Sequence, residues 1–397
     1  MIRISSAQLF GNTLNSISSG QARLADLQRA IASGRQINTA ADDPVGAGRI
    51  VELNALTSRV TQYSRNSDAA EARLTVTENT LVSVSDALNR VRELTLASAN
   101  GINDDENLQI YGEEIRSNLE SIVALSNQAD ANGEYLFAGT ASGTLPFTLS
   151  GSLNYQYFGN SESRSIAISD NQTLSMGLPG DGVFIDIPAG NGRFQVVDQN
   201  TNTGTAVAGD SSISDPSQWI ADDYQLTFSD TTNWEVRDSG GVLVETGTFA
   251  EPGTISFRGA DMSFVGTPQA GDTFDIQSNV FQDVFTTLDE LSAVLSGEIN
   301  LTDTGRANLL NRAINNIDNA LSVNQDSRAT VGVRLSSIDD YRDLNARDVI
   351  QAQTLRSRIE DLDYAAAISE FEYESSILEA AQKTFLSLQG LSLFRLL

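Results

Sequence analysis

The residues with the clearest potential for chemistry are the adjacent carboxylate pairs Asp42-Asp43, Asp104-Asp105, Asp222-Asp223 and Asp339-Asp340. Two neighbouring carboxylates can divide acid and base roles across a scissile bond, or hold Ca²⁺ when a loop supplies further oxygen ligands. None of these pairs lies in a calcium-loop pattern, and a chain with 52 acidic residues holds such pairs by chance. They read as solvated surface or helix caps. The glycines of Gly177-Leu178-Pro179-Gly180-Asp181-Gly182 suggest a phosphate cradle, but no Lys-Ser or Lys-Thr follows them, so they read as a turn. Asn171-Gln172-Thr173 and Asn300-Leu301-Thr302 match the glycosylation pattern, which is frequent by chance. The chain has no Cys, no His and a single Lys, Lys383. Those absences remove thiol and imidazole nucleophiles, the His general base, ordinary zinc sites and disulfides. The reading is therefore a non-enzyme with no cofactor, metal or catalytic site.

Charge narrows the partners. The chain has 397 residues, 40% of them hydrophobic, and a net charge of −27 from 25 basic and 52 acidic residues. That is enough apolar material for a real core and two or three domains. It also argues against nucleic acid or an anionic membrane surface as partner. Acidity concentrates in the middle: residues 140–279 hold 17 acids against four arginines, whereas residues 1–60 hold six arginines against four acids. The middle reads as a solvated, self-repelling surface and the ends as contact surfaces. No stretch has the apolar run of a membrane span or a secretory signal, so no membrane insertion is expected and any export uses an unmarked route.

Helical periodicity dominates both ends. Phe10, Leu14, Ile17, Leu24 and Ile31 follow a heptad weakened by Gln21 and Gln28, which stops at the cap signal Ser33-Gly34. Asp43-Pro44 marks the start of a new helix, which carries Ile50, Leu53, Val60 and Tyr63 and then Leu74, Leu81, Val84, Leu88 and Val91. After Asn100-Gly101, Asn103 or Asp104 caps another helix with Ile115, Leu119, Ile122 and Leu125, ending at Asn132-Gly133. Helical spacing returns at Phe281, Phe285, Leu288, Leu291 and Leu295, broken at Gly297. From Leu310 to Ala352 the 4,3 spacing is unbroken, with Asn324, Arg328, Arg342 and Asn345 as polar seam positions that set register. Leu355, Ile359, Leu362 and Ala366 continue it after a phase shift, followed by Tyr373, Ile377, Phe385 and Leu388.

Between the helical ends the period changes to short β-branched and aromatic runs. They are Tyr155 to Phe158, Val183 to Ile187, Arg193 to Val197, Tyr224 to Phe228, Trp234 to Arg237, Val242 to Val244, Thr254 to Phe257 and Thr273 to Ile276. Ser239-Gly240-Gly241 is a hairpin signal. The expected fold is multidomain α plus β: an elongated antiparallel helical bundle or coiled coil built from both chain ends, carrying an inserted antiparallel β domain. The segments are terminal helices at 1–45 and 353–397, a bundle at 46–136 and 280–352, and the β domain at 137–279. Burying the apolar face of the last helix yields about 10–15 kcal/mol, while ordering its backbone costs about 1–2 kcal/mol per residue. The terminal helices are accordingly expected to be mobile alone and to fold against other subunits.

Two long blocks carry a specific resemblance. LQRAIASGRQINTAADDPVGAGRIVEL at 27–53 resembles the N-terminal signature of the bacterial flagellin family, and SRIEDLDYAAAISEF at 357–371 resembles its C-terminal signature. GEYLFAGTASGTLPF at 133–147 and the ending LSLFRLL are similar to family members at the hook–filament boundary more than to filament subunits. The resemblance implies an extracellular structural subunit of the flagellum, exported by the type III apparatus with a chaperone. It implies assembly as a ring of copies, with hook-associated protein 1 on the hook side and flagellin on the filament side. The assembly residues it and the apolar spacing nominate are Leu14, Ile17, Leu24, Ile31, Asn38, Asp42, Asp43, Leu355, Arg358, Ile359, Leu362, Tyr364, Phe385 and Leu388. A filament flagellin, or a surface adhesin working through the β domain, are the alternatives.

Overall fold

The computed structural model describes residues 6–100, 103–150 and 155–393; the side chains at 6, 7, 9, 10 and 388–393 are outside that description, Phe10 and Leu388 among them. Helices occupy both ends of the chain and antiparallel strands the middle. The chain divides into two compact units, Met1–Arg65 with Tyr341–Leu397, and Asn66–Asp340. Helices α2 (Pro44–Ser98) and α5 (Asp303–Glu360) each contribute to both.

The terminal unit pairs α1 (Ser6–Ser33) with α6 (Tyr364–Leu393). They run antiparallel: Arg23 binds Glu374 at 3.1 Å, while Arg35 reaches Glu360 at 2.9 Å just before α6 begins. Gly20 is buried where the helices meet; a Cβ there would lie 3.5 Å from Leu378 Cδ1. The expectation that the ends find partners only on other subunits is corrected by this pairing. Each terminal helix already covers part of the other's stripe within one chain, so the ordering cost is offset before any subunit is met. A second correction concerns Arg356 to Glu370, read as one helix. The chain breaks at 361–363, and Leu362 sits in the break. Apolar spacing runs on through the break because Leu362 and Ala366 keep the interval, while Asp363 ends one helix and caps the next.

In the larger unit, α2, α3 (Asp105–Ser126), α4 (Val284–Leu295) and α5 bury the seam residues Leu74, Leu81, Val84, Leu88, Ile115, Ile122, Leu288, Leu291 and Ile317. Asp104 caps α3 by accepting the N–H of Asn107. Gly112 lets α3 approach α4, since a Cβ would sit 2.8 Å from the Ser296 nitrogen. The polar seam residue Asn324 is fully buried and accepts a hydrogen bond from Ser85 Oγ at 2.9 Å. Helix α3 ends at Ser126, short of the expected Asn132-Gly133, which instead forms a turn with Gly133 at φ +78°.

Among the described residues there are twelve strands: β1 (Phe147–Leu149), β2 (Tyr155–Tyr157), β3 (Ser165–Ser169), β4 (Gln172–Ser175), β5 (Phe194–Asp198), β6 (Val207–Ile213), β7 (Tyr224–Phe228), β8 (Asn233–Asp238), β9 (Leu243–Thr248), β10 (Gly253–Phe257), β11 (Ala260–Val265) and β12 (Thr273–Ser278). The main sheets are five-stranded, β5-β12-β7-β8-β9, and three-stranded, β10-β11-β6, with small hairpins β1-β2 and β3-β4. The two main sheets share one core containing Leu226, Phe228, Phe249, Phe264 and Phe274. Alternation explains the register: Tyr224, Leu226 and Phe228 of β7 (Tyr224–Phe228) are buried while Gln225 is exposed. The turn after Asp238 closes hairpin β8 (Asn233–Asp238) and β9 (Leu243–Thr248). Val183 to Ile187, expected as a strand, is corrected to a π-helical turn over Asp181–Ile185. Its apolar residues serve a buried aromatic cluster instead: Phe184 lies edge-on to Phe137, with ring centroids 5.1 Å apart.

Helix α5 anchors the sheets through a row of asparagines. Asn308 Oδ1 accepts the Ala208 N–H at 2.7 Å, and Asn311 Nδ2 donates to the Ala208 carbonyl at 2.9 Å. Asn316 Oδ1 accepts the Gly190 N–H at 2.9 Å, and Asn319 Nδ2 donates to the carbonyls of Pro188 and Gly190. These side chains satisfy backbone groups beside β5 (Phe194–Asp198) and at the open edge of β6 (Val207–Ile213).

Candidate functional site

The two signature blocks meet in the terminal unit. Helix α1 stops at Gly34, whose φ of +72° is a left-handed cap that glycine takes at no steric cost. A Cβ there would also lie 2.9 Å from the Tyr364 hydroxyl oxygen. Beyond it the chain turns through 35–43 before α2 starts at Pro44. Asp42 holds that turn by accepting the N–H groups of Asn38 at 3.0 Å and Thr39 at 2.8 Å. Those two backbone donors, Thr39 foremost, hold the Asp42 carboxyl below the usual range. Asp43 accepts the Val45 N–H at 3.1 Å and so caps α2.

The break between α5 and α6 lies against this turn. Gln36 N–H donates to the Glu360 carbonyl at 2.7 Å, and Leu362 N–H donates to the Gly34 carbonyl at 3.0 Å. Together they form a short antiparallel bridge between Arg35 and Asp361. Glu360 is buried, 8% exposed, with its carboxylate set between Arg35 at 2.9 Å and Arg356 at 3.3 Å. Asp363 restarts the helix by accepting the N–H groups of Ala365 and Ala366. Two helix breaks far apart in sequence are thus locked to each other by backbone hydrogen bonds and one buried carboxylate.

Two open grooves flank the lock. One, of about 530 Å³, is lined by Leu27, Asn38, Asp42, Leu362 and Ala366 with Arg23 and Glu374 at its side. The other, of about 480 Å³, lies between α2 and α5 and is lined by Leu53, Leu56, Leu355 and Ile359 under Arg49, Arg59 and Arg358. The nominated residues divide accordingly. Asn38, Asp42, Leu362 and Tyr364 gather at the lock, with Asp43 beside them, and Leu355, Arg358 and Ile359 line the second groove. Ile17, Leu24, Ile31 and Phe385 are partly buried on α1 and α6, Leu14 is 51% exposed, and the Leu388 side chain lies outside the described residues. The sequence reading missed Arg35, Gln36 and the α2 groove residues Arg49 and Arg59. Arg356 and Glu360, four apart on one helix, were the available signal for the buried pair.

Large apolar side chains are exposed on three helices of the terminal unit, α2, α5 and α6. Val45, Val51, Ile350, Tyr364, Ile368, Tyr373 and Leu386 are exposed by between 47% and 79%. On α6, Tyr364, Ile368 and Leu386 share one side and Tyr373 lies on the opposite one, so both sides present apolar groups to water. Three of the four carboxylate pairs contribute to structure: Asp42, Asp43 and Asp104 hold turns and caps, and Asp223 accepts the Ser278 N–H.

The chain thus joins terminal helices locked at matching breaks to exposed apolar side chains and an inserted β domain. Residues 4–142 match the bacterial flagellin N-terminal helical region, and residues 197–278 match the D2-like domain of flagellar hook-associated protein 1. FlgL of Xanthomonas campestris is 32% identical, with 76% of this chain and 98% of that one aligned at a TM-score of 0.70. The flagellar junction protein FlgL of Legionella pneumophila is 27% identical over 71% of this chain and 96% of its own, at a TM-score of 0.65. Flagellar hook-associated protein 3 of Escherichia coli K12 is 22% identical over 100% of this chain and 99% of its own. The chain belongs to the family of flagellar hook-associated protein 3, FlgL.

Proposed function

We propose that this chain is the structural subunit that joins hook to filament in the bacterial flagellum, assembling through its terminal helices. The exposed apolar side chains beside the locked breaks are the observation that carries the assembly mechanism. Burial of such side chains yields about 25 cal/mol per Å², and the lock keeps the two breaks in register while they are being covered. The copies form a closed ring, with hook-associated protein 1 on the hook side and flagellin on the filament side. The terminal helices, 1–45 and 353–397, make the contacts between copies, and the acidic β domain, 137–279, is a solvated part of the subunit. The subunit works outside the cell and reaches its place by type III export with a dedicated chaperone. Likeness to hook-associated protein 3 along the whole chain favours this role over that of a filament subunit, since the flagellin likeness is weaker.

The test is a strain whose only copy carries Tyr373→Asp. Tyr373 is 67% exposed, so the purified chain should melt within about 1 °C of the parent, as surface substitutions do. The strain should make hooks, fail to retain filaments and shed flagellin into the medium. Normal filaments in that strain would overturn assembly through these side chains.

A further inference from the structure

We infer that a cleft between the two main sheets of the β domain binds an acidic pyranoside, a function separate from assembly. β5 and β6 are edge strands of different sheets. Helix α5 covers the β6 edge at Ala208, through Asn308 and Asn311, but provides no such bonds at Ser211 to Ile213. There an open cleft of about 410 Å³ is lined by Asn191, Arg193, Ser211, Ser212, Ile213 and Trp219.

Four features select the ligand. Trp219 is partly exposed, and its ring is fixed from behind by Phe194 and Tyr224, with centroids at 5.1 and 5.7 Å. Arg193 is exposed and its guanidinium has no partner among the described residues, whereas the other three arginines of 140–279 are engaged. Arg164 pairs with Glu134, Arg237 with Glu235, and Arg258 with the hydroxyl and ring of Tyr224. Asn191 spends Oδ1 on the N–H groups of Arg193 and Phe194, leaving its water-shielded Nδ2 without an acceptor. Ser211 shares its face of β6 with Ile213 and adds a hydroxyl, while Ser212 faces the other way. A rigid indole suits the C–H face of a sugar ring, an unpaired guanidinium suits a carboxylate, and the serine hydroxyl suits a ring hydroxyl. A phosphate would leave the indole unused, and a neutral sugar would leave the guanidinium unused.

The experiment is calorimetric titration of the full chain with digalacturonate, the neutral disaccharide of the same linkage, inorganic phosphate and an acidic pentapeptide. Digalacturonate should bind saturably, and the neutral sugar and phosphate at least about tenfold more weakly, as befits loss of one charge-assisted pair. Arg193→Gln should abolish the preference for the acid without changing the melting temperature, and Trp219→Phe should weaken both sugars. Three results would overturn the assignment: no saturable sugar binding, equal affinity for acid and neutral sugars, or binding unchanged in the Arg193→Gln, Trp219→Phe double variant. Tighter binding of the peptide would reassign the cleft to a protein partner. Filament retention in strains carrying these variants is expected to be normal, which separates this site from the assembly role.

Discussion

Gly34 and Asp42 show how single residues hold the terminal unit together. Gly34 combines a positive φ with the closest approach to Tyr364. Gly34→Val should cost about 1–3 kcal/mol, the range for a non-glycine residue forced into the left-handed region. Urea unfolding of the purified chain would measure it. A cost below about 0.5 kcal/mol would mean that the break tolerates ordinary backbone. Asp42 gives the turn a pH signature. Because backbone donors lower its folded carboxyl below the unfolded value, its contribution is complete above the unfolded value of about 3.9 and lost as pH falls through the folded one. Protection of the Asn38 and Thr39 amides, relative to their intrinsic exchange rates at each pH, should therefore hold from pH 7 down to about pH 4 and fall below it, and Asp42→Asn should remove that step. The carboxylate pairs were legible as caps because Asp before Pro44 or before a helical run has little else to do. The bridge between Gln36 and Glu360 was not legible, since it is made of backbone atoms.

At the scale of elements, period decided what could be read. Helices α2 through α5 declare themselves because their seams keep a 4,3 rhythm over many turns. Strands β7, β8, β10 and β12 declare themselves by alternation, whereas β6, reading VAGDSSI, hides because an edge strand buries little and tolerates Gly, Asp and Ser. The break at 361–363 hid behind the continuing interval of Leu362 and Ala366, although Asp363 is an acceptable cap. The asparagine row of α5 hid for a related reason: it flanks the seam, and the 4,3 spacing assigns those positions no role. Its weight is testable at Asn316, which is 4% exposed and also donates to Gln282. Asn316→Leu leaves the Gly190 N–H without its acceptor and should cost about 1–3 kcal/mol by urea unfolding. A neutral substitution would show that the β domain does not depend on the row.

For the molecule as a whole, the distribution of charge and apolar surface divides the work. Acids gather in the β domain, where repulsion favours solvation, while exposed apolar residues gather in the terminal unit, where burial favours association. The sequence reading took the middle as solvated surface and the ends as contact surfaces, and it expected the ends to wait for other subunits, because an estimate made on one helix alone omits the partner at the other end of the chain. Pairing α1 with α6 satisfies one side of α6 and leaves apolar groups exposed on its other sides, and assembly through those groups is the central claim. The chain has no native Cys, so a single Tyr373→Cys reports on itself alone. Its maleimide reactivity, compared between the purified subunit and isolated hook–filament structures, tests the claim most directly. Rapid labelling of the free subunit and protection in the assembled structure is the expected result. Equal reactivity in both would contradict it.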